Sequence, residues 1–346
     1  MTFNSVELFS GCGGLTEGMK KAGFKTRVAV EIDNAAIQTF KLNHGETRVV
    51  AKDIRKIATS EISKILKKKT VHFLAGCPPC QGFSSIRRLN KRGNKRDPRN
   101  SLVLEYLRFV RELKPLTIML ENVPGLQDYF LFSQLLRDLK KLGYWVDYDV
   151  VNIKDFGVPQ SRRRLVLVGS RLGELKVAYP SSRSPKTVRQ TIGKLPPPSE
   201  SKDWVHKVVA NHTNNVLERI ELTPVNGGSR KDLPEEYTLA CHVRIDSGFN
   251  DIYGRLRWDD VSSTITGGCL NPSKGRFLHP EQHRCISARE AALLQSFPAS
   301  YKFAKNTSKT DLAQMIGNAL PPKFSYYQSK NIYNHLKTHL EKNSHR

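Results

Sequence analysis

Short apolar runs recur through the first half of the chain, and the residues able to do chemistry come directly after them. VELF at 6–9 runs into SGCGG at 10–14, and RVAV at 27–30 runs into Glu31. Val49 and Val50 precede Asp53, VHFLA at 71–75 precedes CPPC, and LTIML at 116–120 ends at Glu121 and Asn122. A further apolar run covers 164–168. Between these runs the spacing predicts helices ending near Ala22 and over 34–43, 102–113 and 131–142. Strands alternating with helices predict an α/β fold, a doubly wound and mostly parallel sheet. Ligands of such sheets bind beyond the C-terminal ends of the strands. The polar clusters fall at those ends, and a random scatter would not put them there.

After about residue 180 Pro, Ser and Gly increase and helical periodicity fades until about Ala288. Helices return over 288–297 and 324–340. The chain has 346 residues, a length that suggests roughly two domains. The expected division is a catalytic and cofactor-binding part at 1–184, a smaller irregular domain of loops and short strands at 185–287, and a return segment at 288–346.

Lys and Arg number 56 against 32 Asp and Glu, a formal net charge of +24. That excess points to a polyanionic partner, nucleic acid first. No charged start followed by an apolar stretch marks a secretory signal. No apolar run approaches the ~18 residues of a membrane helix. Six scattered cysteines are too few for a disulfide framework in a chain of this length and fit a reducing, cytoplasmic compartment.

The turn at 9–14 carries Phe9, Gly11, Cys12, Gly13 and Gly14 between a strand and a helix. Its glycines let backbone approach a ligand closely. It lacks the Gly-Lys-Ser/Thr of a Walker loop and the G-x-G-x-x-G spacing of a dinucleotide site. Glu31, ending the next strand, can hold ribose hydroxyls, and Asp53 can accept from an adenine amino group. A nucleoside cofactor and a plain tight turn with surface acids fit this pattern about equally well.

GCPPCQGFS at 76–84 holds a Cys-x-x-Cys with two prolines between the sulfurs. Structural zinc would want two more ligands at close spacing, and only His72 lies near. A redox pair fits strand–CxxC–helix, but Gln81 and Gly82 start a helix poorly. In the third reading one cysteine is a nucleophile on a loop whose prolines fix its aim.

PPCQGFS at 78–84 resembles the catalytic loop of the DNA (cytosine-5)-methyltransferases, bacterial modification-enzyme type. FSGCGGL at 9–15 resembles that family's first S-adenosylmethionine motif, and ENVPG at 121–125 its Glu-Asn-Val motif. QSRRR at 160–164 matches its Gln-x-Arg-x-Arg motif. REAALLQSFP at 289–298 and QMIGNALPP at 314–322 resemble its ninth and tenth motifs. The motifs stand in the family's order across nearly the whole chain. Cys77 is a departure, standing where the family usually has glycine.

The resemblance implies a Rossmann-like catalytic domain and a target-recognition domain that reads duplex DNA. It implies that Cys80 adds to carbon 6 of a flipped-out cytosine, so that carbon 5 can take a methyl group. A protonated Glu121 would donate to ring nitrogen 3, and Arg162 and Arg164 would position the base. S-adenosyl-L-methionine would be held by Phe9, Gly11, Cys12, Gly13, Gly14, Glu31, Ile32, Asp53, Ile54, Pro78, Leu102, Asn318 and Ala319. Ser84 and the basic stretch with Arg87, Arg88, Lys91, Arg92 and Arg96 would meet DNA phosphates. GRLRW at 254–258 and STITGG at 263–268 resemble the target-recognition core. A cognate restriction endonuclease is an implied partner; no metal or membrane is. A transfer-RNA cytosine methyltransferase shares most of the motifs and is the rival substrate class.

Overall fold

The computed structural model describes residues 2–67, 69–79, 101–182, 184–238 and 251–344. They form two compact units: one of 1–156, 163–182 and 320–346, the other of 157–162 and 183–319. The sequence boundaries at 184/185 and 287/288 differ from this division. Residues 157–162 and 288–319 group with the second unit, the latter because α-helices there pack on one another rather than on the sheet.

The first unit is built on a seven-stranded sheet of order β3-β2-β1-β4-β5-β7-β6. Its strands are β1 (Phe3–Leu8), β2 (Phe24–Glu31), β3 (Arg48–Ala51), β4 (Phe73–Gly76), β5 (Thr117–Asn122), β6 (Trp145–Asn152) and β7 (Arg163–Ser170). β1 to β5 pair in parallel, while β7 runs antiparallel to both β5 and β6. The helices of this unit include α1 (Gly14–Ala22), α2 (Asn34–Asn43), α3 (Thr59–Leu66), α4 (Leu102–Leu113), α5 (Phe130–Lys141) and a long C-terminal helix, Pro322–Ser344. This is the α/β doubly wound architecture expected from the alternation of runs.

The central strands are apolar because both faces are covered. Every residue of β1 and β5 is buried. The core under α3, α4 and α5 collects Val6, Leu8, Val30, Leu74, Leu107, Leu120, Leu135 and Leu167. On the other side the C-terminal helix lays Tyr333 against Phe3 and Phe24, ring centroids 4.9 and 5.5 Å apart. Gly13 caps the start of α1, and its φ of 96° lies in the left-handed region that glycine enters without steric cost.

The second unit carries short helices, 3₁₀ turns and isolated bridges. Among its described residues no strand ladder forms, which departs from the short strands expected there. α6 (Val188–Ile192), α7 (Trp204–Lys207), α8 (Asn214–Leu222), α9 (Ala288–Leu294) and α10 (Lys309–Asn318) are joined instead by side chains bonded to backbone. Arg255 is fully buried and donates to the carbonyl oxygens of Ile220, Thr223, His279 and Gln282. A buried guanidinium without hydrogen bonds would cost several kcal/mol; here the carbonyls take up its donors. Among the described residues no helix is long and apolar enough to cross a membrane, and no group of three His, Cys, Asp or Glu side chains could hold a metal ion.

Candidate active site

Strand parity brings the site together in the first unit. Glu7 pairs with Ala75, and Ala75 with Met119. Two residues further along, Cys77 and Glu121 share that same sheet face. β7 continues it: Glu121 pairs with Val166, so Arg164, two residues from Val166, reaches across. Arg164 Nε lies 2.8 Å from Glu121 Oε1 in a largely buried ion pair. Arg163 is exposed on the opposite face, as alternation requires. Beyond the strand end, Asn122 Nδ2 donates to the carbonyl oxygen of Pro78 at 3.1 Å.

The Cys77 thiol faces the Glu121 side chain across the β4–β5 ladder. Burial pushes that thiol well above its usual range, and the negative charges of Glu121 and Glu7 push it further. Cys12 is raised to about 12, again by burial first and then by Glu31 and Glu7. A redox CxxC or a nucleophile needs its thiolate favoured, so neither Cys77 nor Cys12 suits that work. Cys80 lies outside the described residues. So do Ser84, Arg87, Arg88, Lys91, Arg92 and Arg96.

Glu7 was not singled out in the sequence. The signal was there: a carboxylate inside the apolar run at 6–9. It is 1% exposed, it accepts a hydrogen bond from the Thr16 hydroxyl, and burial raises it to about 8.

The cofactor candidates gather at the ends of β1, β2 and β3. Glu31 accepts from the Gly11 N–H at 2.7 Å through Oε2, and from the N–H groups of Ile32 and Asp33 through Oε1. This ties the Gly-rich turn to the end of β2. A Cβ built on Gly11 would meet nothing within 4 Å, so the turn borders open space. Phe9 holds a φ of 59°, a left-handed conformation that is uncommon for a bulky residue and turns the chain into the glycines. Ile32 is 64% exposed, a large apolar side chain left in the open at a strand end. Asp53 is held by Arg55, whose Nη2 lies 2.5 Å away, and this hydrogen bond takes its carboxyl down to about 2. Pro78 is buried, and Ile54 and Leu102 belong to the core cluster of this unit. A nucleoside fits this donor set: an acid for a ribose diol, an exposed apolar side chain for a purine face, and an acid for an amino group.

Arg162, Asn318 and Ala319 belong to the second unit. Arg162 is buried and its Nη1 donates to the carbonyl oxygens of Ile265 and Gly317, both at 2.9 Å. Gln160 bonds Gln295 at 2.7 Å and accepts from the Ile265 N–H; Gln295 donates to the carbonyl of Ile316 at 2.6 Å. The Gln-x-Arg motif therefore staples together segments more than 100 residues apart. That structural job was not foreseen from the sequence. Asn318 ends α10 and Ala319 follows it.

The mostly parallel sheet, the Gly-rich turn and the acids at the strand ends define a doubly wound α/β protein with a site fit for a nucleoside. The comparisons then fix the family. The model of the C-5 cytosine-specific DNA methylase family matches residues 3–334, and the chain belongs to that family. It is 36% identical over 342 residues to the Type II methylase M.HgiDII of Herpetosiphon aurantiacus, covering 94% of each chain. It is 33% identical to the Type II methyltransferase M1.HphI of Haemophilus parahaemolyticus, covering 93% of this chain and 84% of that one. Among solved structures it resembles a prophage-encoded DNA modification methyltransferase of E. coli, with a TM-score of 0.74 and 26% identity over 97% and 99% of the two chains. The enzyme is a DNA (cytosine-5)-methyltransferase that uses S-adenosyl-L-methionine. The match decides for DNA against transfer RNA.

Proposed function

We propose that Cys80 is the nucleophile, that Glu121 acts on the cytosine ring and that Arg164 and Arg162 hold base and glutamate in place. The Glu121–Arg164 ion pair, at the strand ends and one bond from the Pro78 segment, carries this reading. Cys80 adds to carbon 6 of a cytosine taken out of the stack. The negative charge that this pushes toward ring nitrogen 3 would be met there by Glu121. Carbon 5 thereby becomes electron-rich and able to take the methyl group; once it carries that group, a base takes the carbon 5 proton and Cys80 leaves as thiolate. S-adenosyl-L-methionine supplies the electrophilic methyl group. Glu31, Asp53 and Ile32, with the turn at 9–14 and Ile54, Pro78, Leu102, Asn318 and Ala319, would hold it. Water exclusion by the buried walls around Glu121 keeps these charges strong.

Ser84, Arg87, Arg88, Lys91, Arg92 and Arg96 would neutralise DNA phosphates, in keeping with the +24 charge. Residues 185–287 would read the target in the major groove. The reading extends to the modification half of a restriction-modification system in the bacterial cytoplasm, since the relatives at 36% and 33% identity are named Type II enzymes. Bisulfite mapping of DNA from cells expressing the protein tests it. One short sequence methylated at every copy, and resistant to an endonuclease of that specificity, is expected. Methylation scattered without a common sequence would contradict the modification role.

A further inference from the structure

We propose that Cys77 is a positioning residue: its thiol donates a hydrogen bond to the Glu121 carboxylate and, with Arg164, sets how that carboxylate is presented at the strand ends. The proposal rests on the reading of Glu121 as the group acting on the cytosine ring.

Gly76 pairs with Leu120 across the parallel β4–β5 ladder, so Cys77 and Glu121 are the next pair in register. They point to one face, which sets the thiol beside the carboxylate. Arg164 holds Oε1 from the β7 side. The backbone beneath is fixed as well, because Asn122 bonds the Pro78 carbonyl on the far side of Cys77. Two different donors therefore approach Glu121 from two strands. A glutamate side chain has three torsions; a donor on each side leaves one orientation.

The groups facing this carboxylate are Arg164 from β7, Cys77 from β4 and, further off along the same face, Glu7 from β1. Burial and the two carboxylates keep the Cys77 thiol protonated, so it serves as a donor and not as a thiolate. An S–H is a weak donor, suited to orienting a group without holding it as tightly as a second cation would. Glycine, usual for the family at this position, has nothing to offer there. The cysteine is thus an extra contact of this chain. Positioning of a reacting group within a fraction of an ångström is where such a contact affects rate.

Infrared difference spectra of wild type against Cys77→Ser isolate the Cys77 S–H stretching band. The same difference taken in a Glu121→Ala background shows what the carboxylate does to it. The band is expected at lower frequency than a free thiol and should rise when Glu121 is removed. In steady-state methylation of duplex DNA, Cys77→Ala should lower kcat about five-fold, the worth of one modest hydrogen bond. KM for DNA and for the methyl donor should stay within about two-fold. Cys77→Ser, which keeps a donor, should recover most of the loss. A band unmoved by Glu121→Ala overturns the hydrogen bond. A moved band with wild-type kcat in Cys77→Ala overturns the positioning role. A Glu121→Ala enzyme with undiminished methyl transfer would overturn the reading of Glu121, while the band would still report the contact.

Discussion

Asn122 Nδ2 donates to the carbonyl oxygen of Pro78 at 3.1 Å, tying the end of β5 to the segment that leads into Cys80. The amide is buried, and its Oδ1 accepts from the Val123 N–H at 2.9 Å, so both ends of the side chain are fixed. Asn122→Ala should cost about 1–2 kcal/mol of stability. The larger effect should be on rate, because the Pro78 segment loses its anchor. A roughly ten-fold or greater fall in single-turnover methyl transfer is expected, and rapid-quench kinetics with excess enzyme measures it.

Arg162 should matter first for stability. Its guanidinium holds two buried carbonyl oxygens, those of Ile265 and Gly317. Arg162→Ala leaves them unsatisfied, at about 1–3 kcal/mol each. Urea unfolding should show a lower midpoint. A variant with wild-type stability and lost activity would mean that Arg162 works on the base alone.

Gly317 tests the same staple by size. A Cβ there would sit 2.1 Å from the carbonyl carbon of Thr266 and 2.3 Å from the Gly267 nitrogen. Backbone atoms cannot yield as a side-chain tip does. Gly317→Ala should destabilise by about 1–3 kcal/mol or more, read as a drop in Tm by calorimetry.

The strand-and-helix order of the first unit was legible because burial on both faces demands continuous apolar runs, as in β1 and β5. β6 was not. It is an edge strand with a largely exposed or half-buried pattern, and Asp147 and Asp149 interrupt its apolar residues. α3 was missed as well. In the second unit the organising contacts run from Arg255 to carbonyls 24 to 35 residues away and from Gln160 to Gln295. No periodicity announces such bonds. The acids at the strand ends were legible from position alone. The Cys77–Glu121 contact needed strand register, which the sequence does not print.

Glu7 gives a pH signature. Its folded value, about 8, lies above its ordinary 4.5 because burial penalises the charged form. A raised acid contributes stability that is fully present below the unfolded value and is lost as pH rises through the folded one. Unfolding free energy should therefore fall between about pH 4.5 and 8. Glu7→Gln, which still accepts from Thr16, should remove this slope, gaining on the order of a few kcal/mol relative to wild type at the alkaline end. Urea titrations at several pH values decide it; parallel slopes for both proteins would refute it.

The basic stretch after Cys80 should act through phosphates. Replacing Arg88 by Gln should weaken binding to all duplexes alike. It should also flatten the log Kd against log salt slope by about 0.9. Fluorescence anisotropy across a salt series measures it. A loss confined to one DNA sequence would instead make Arg88 a base reader.

The central claim is that Cys80, and not its neighbour in the CPPC pair, forms the bond to cytosine. Methyl transfer from labelled S-adenosyl-L-methionine to duplex DNA, with wild type, Cys77→Ser and Cys80→Ser side by side, tests it most directly. The account predicts label on DNA with wild type and Cys77→Ser, and a loss of at least about 10³-fold with Cys80→Ser. Equal loss in both variants, or full transfer by Cys80→Ser, would contradict it.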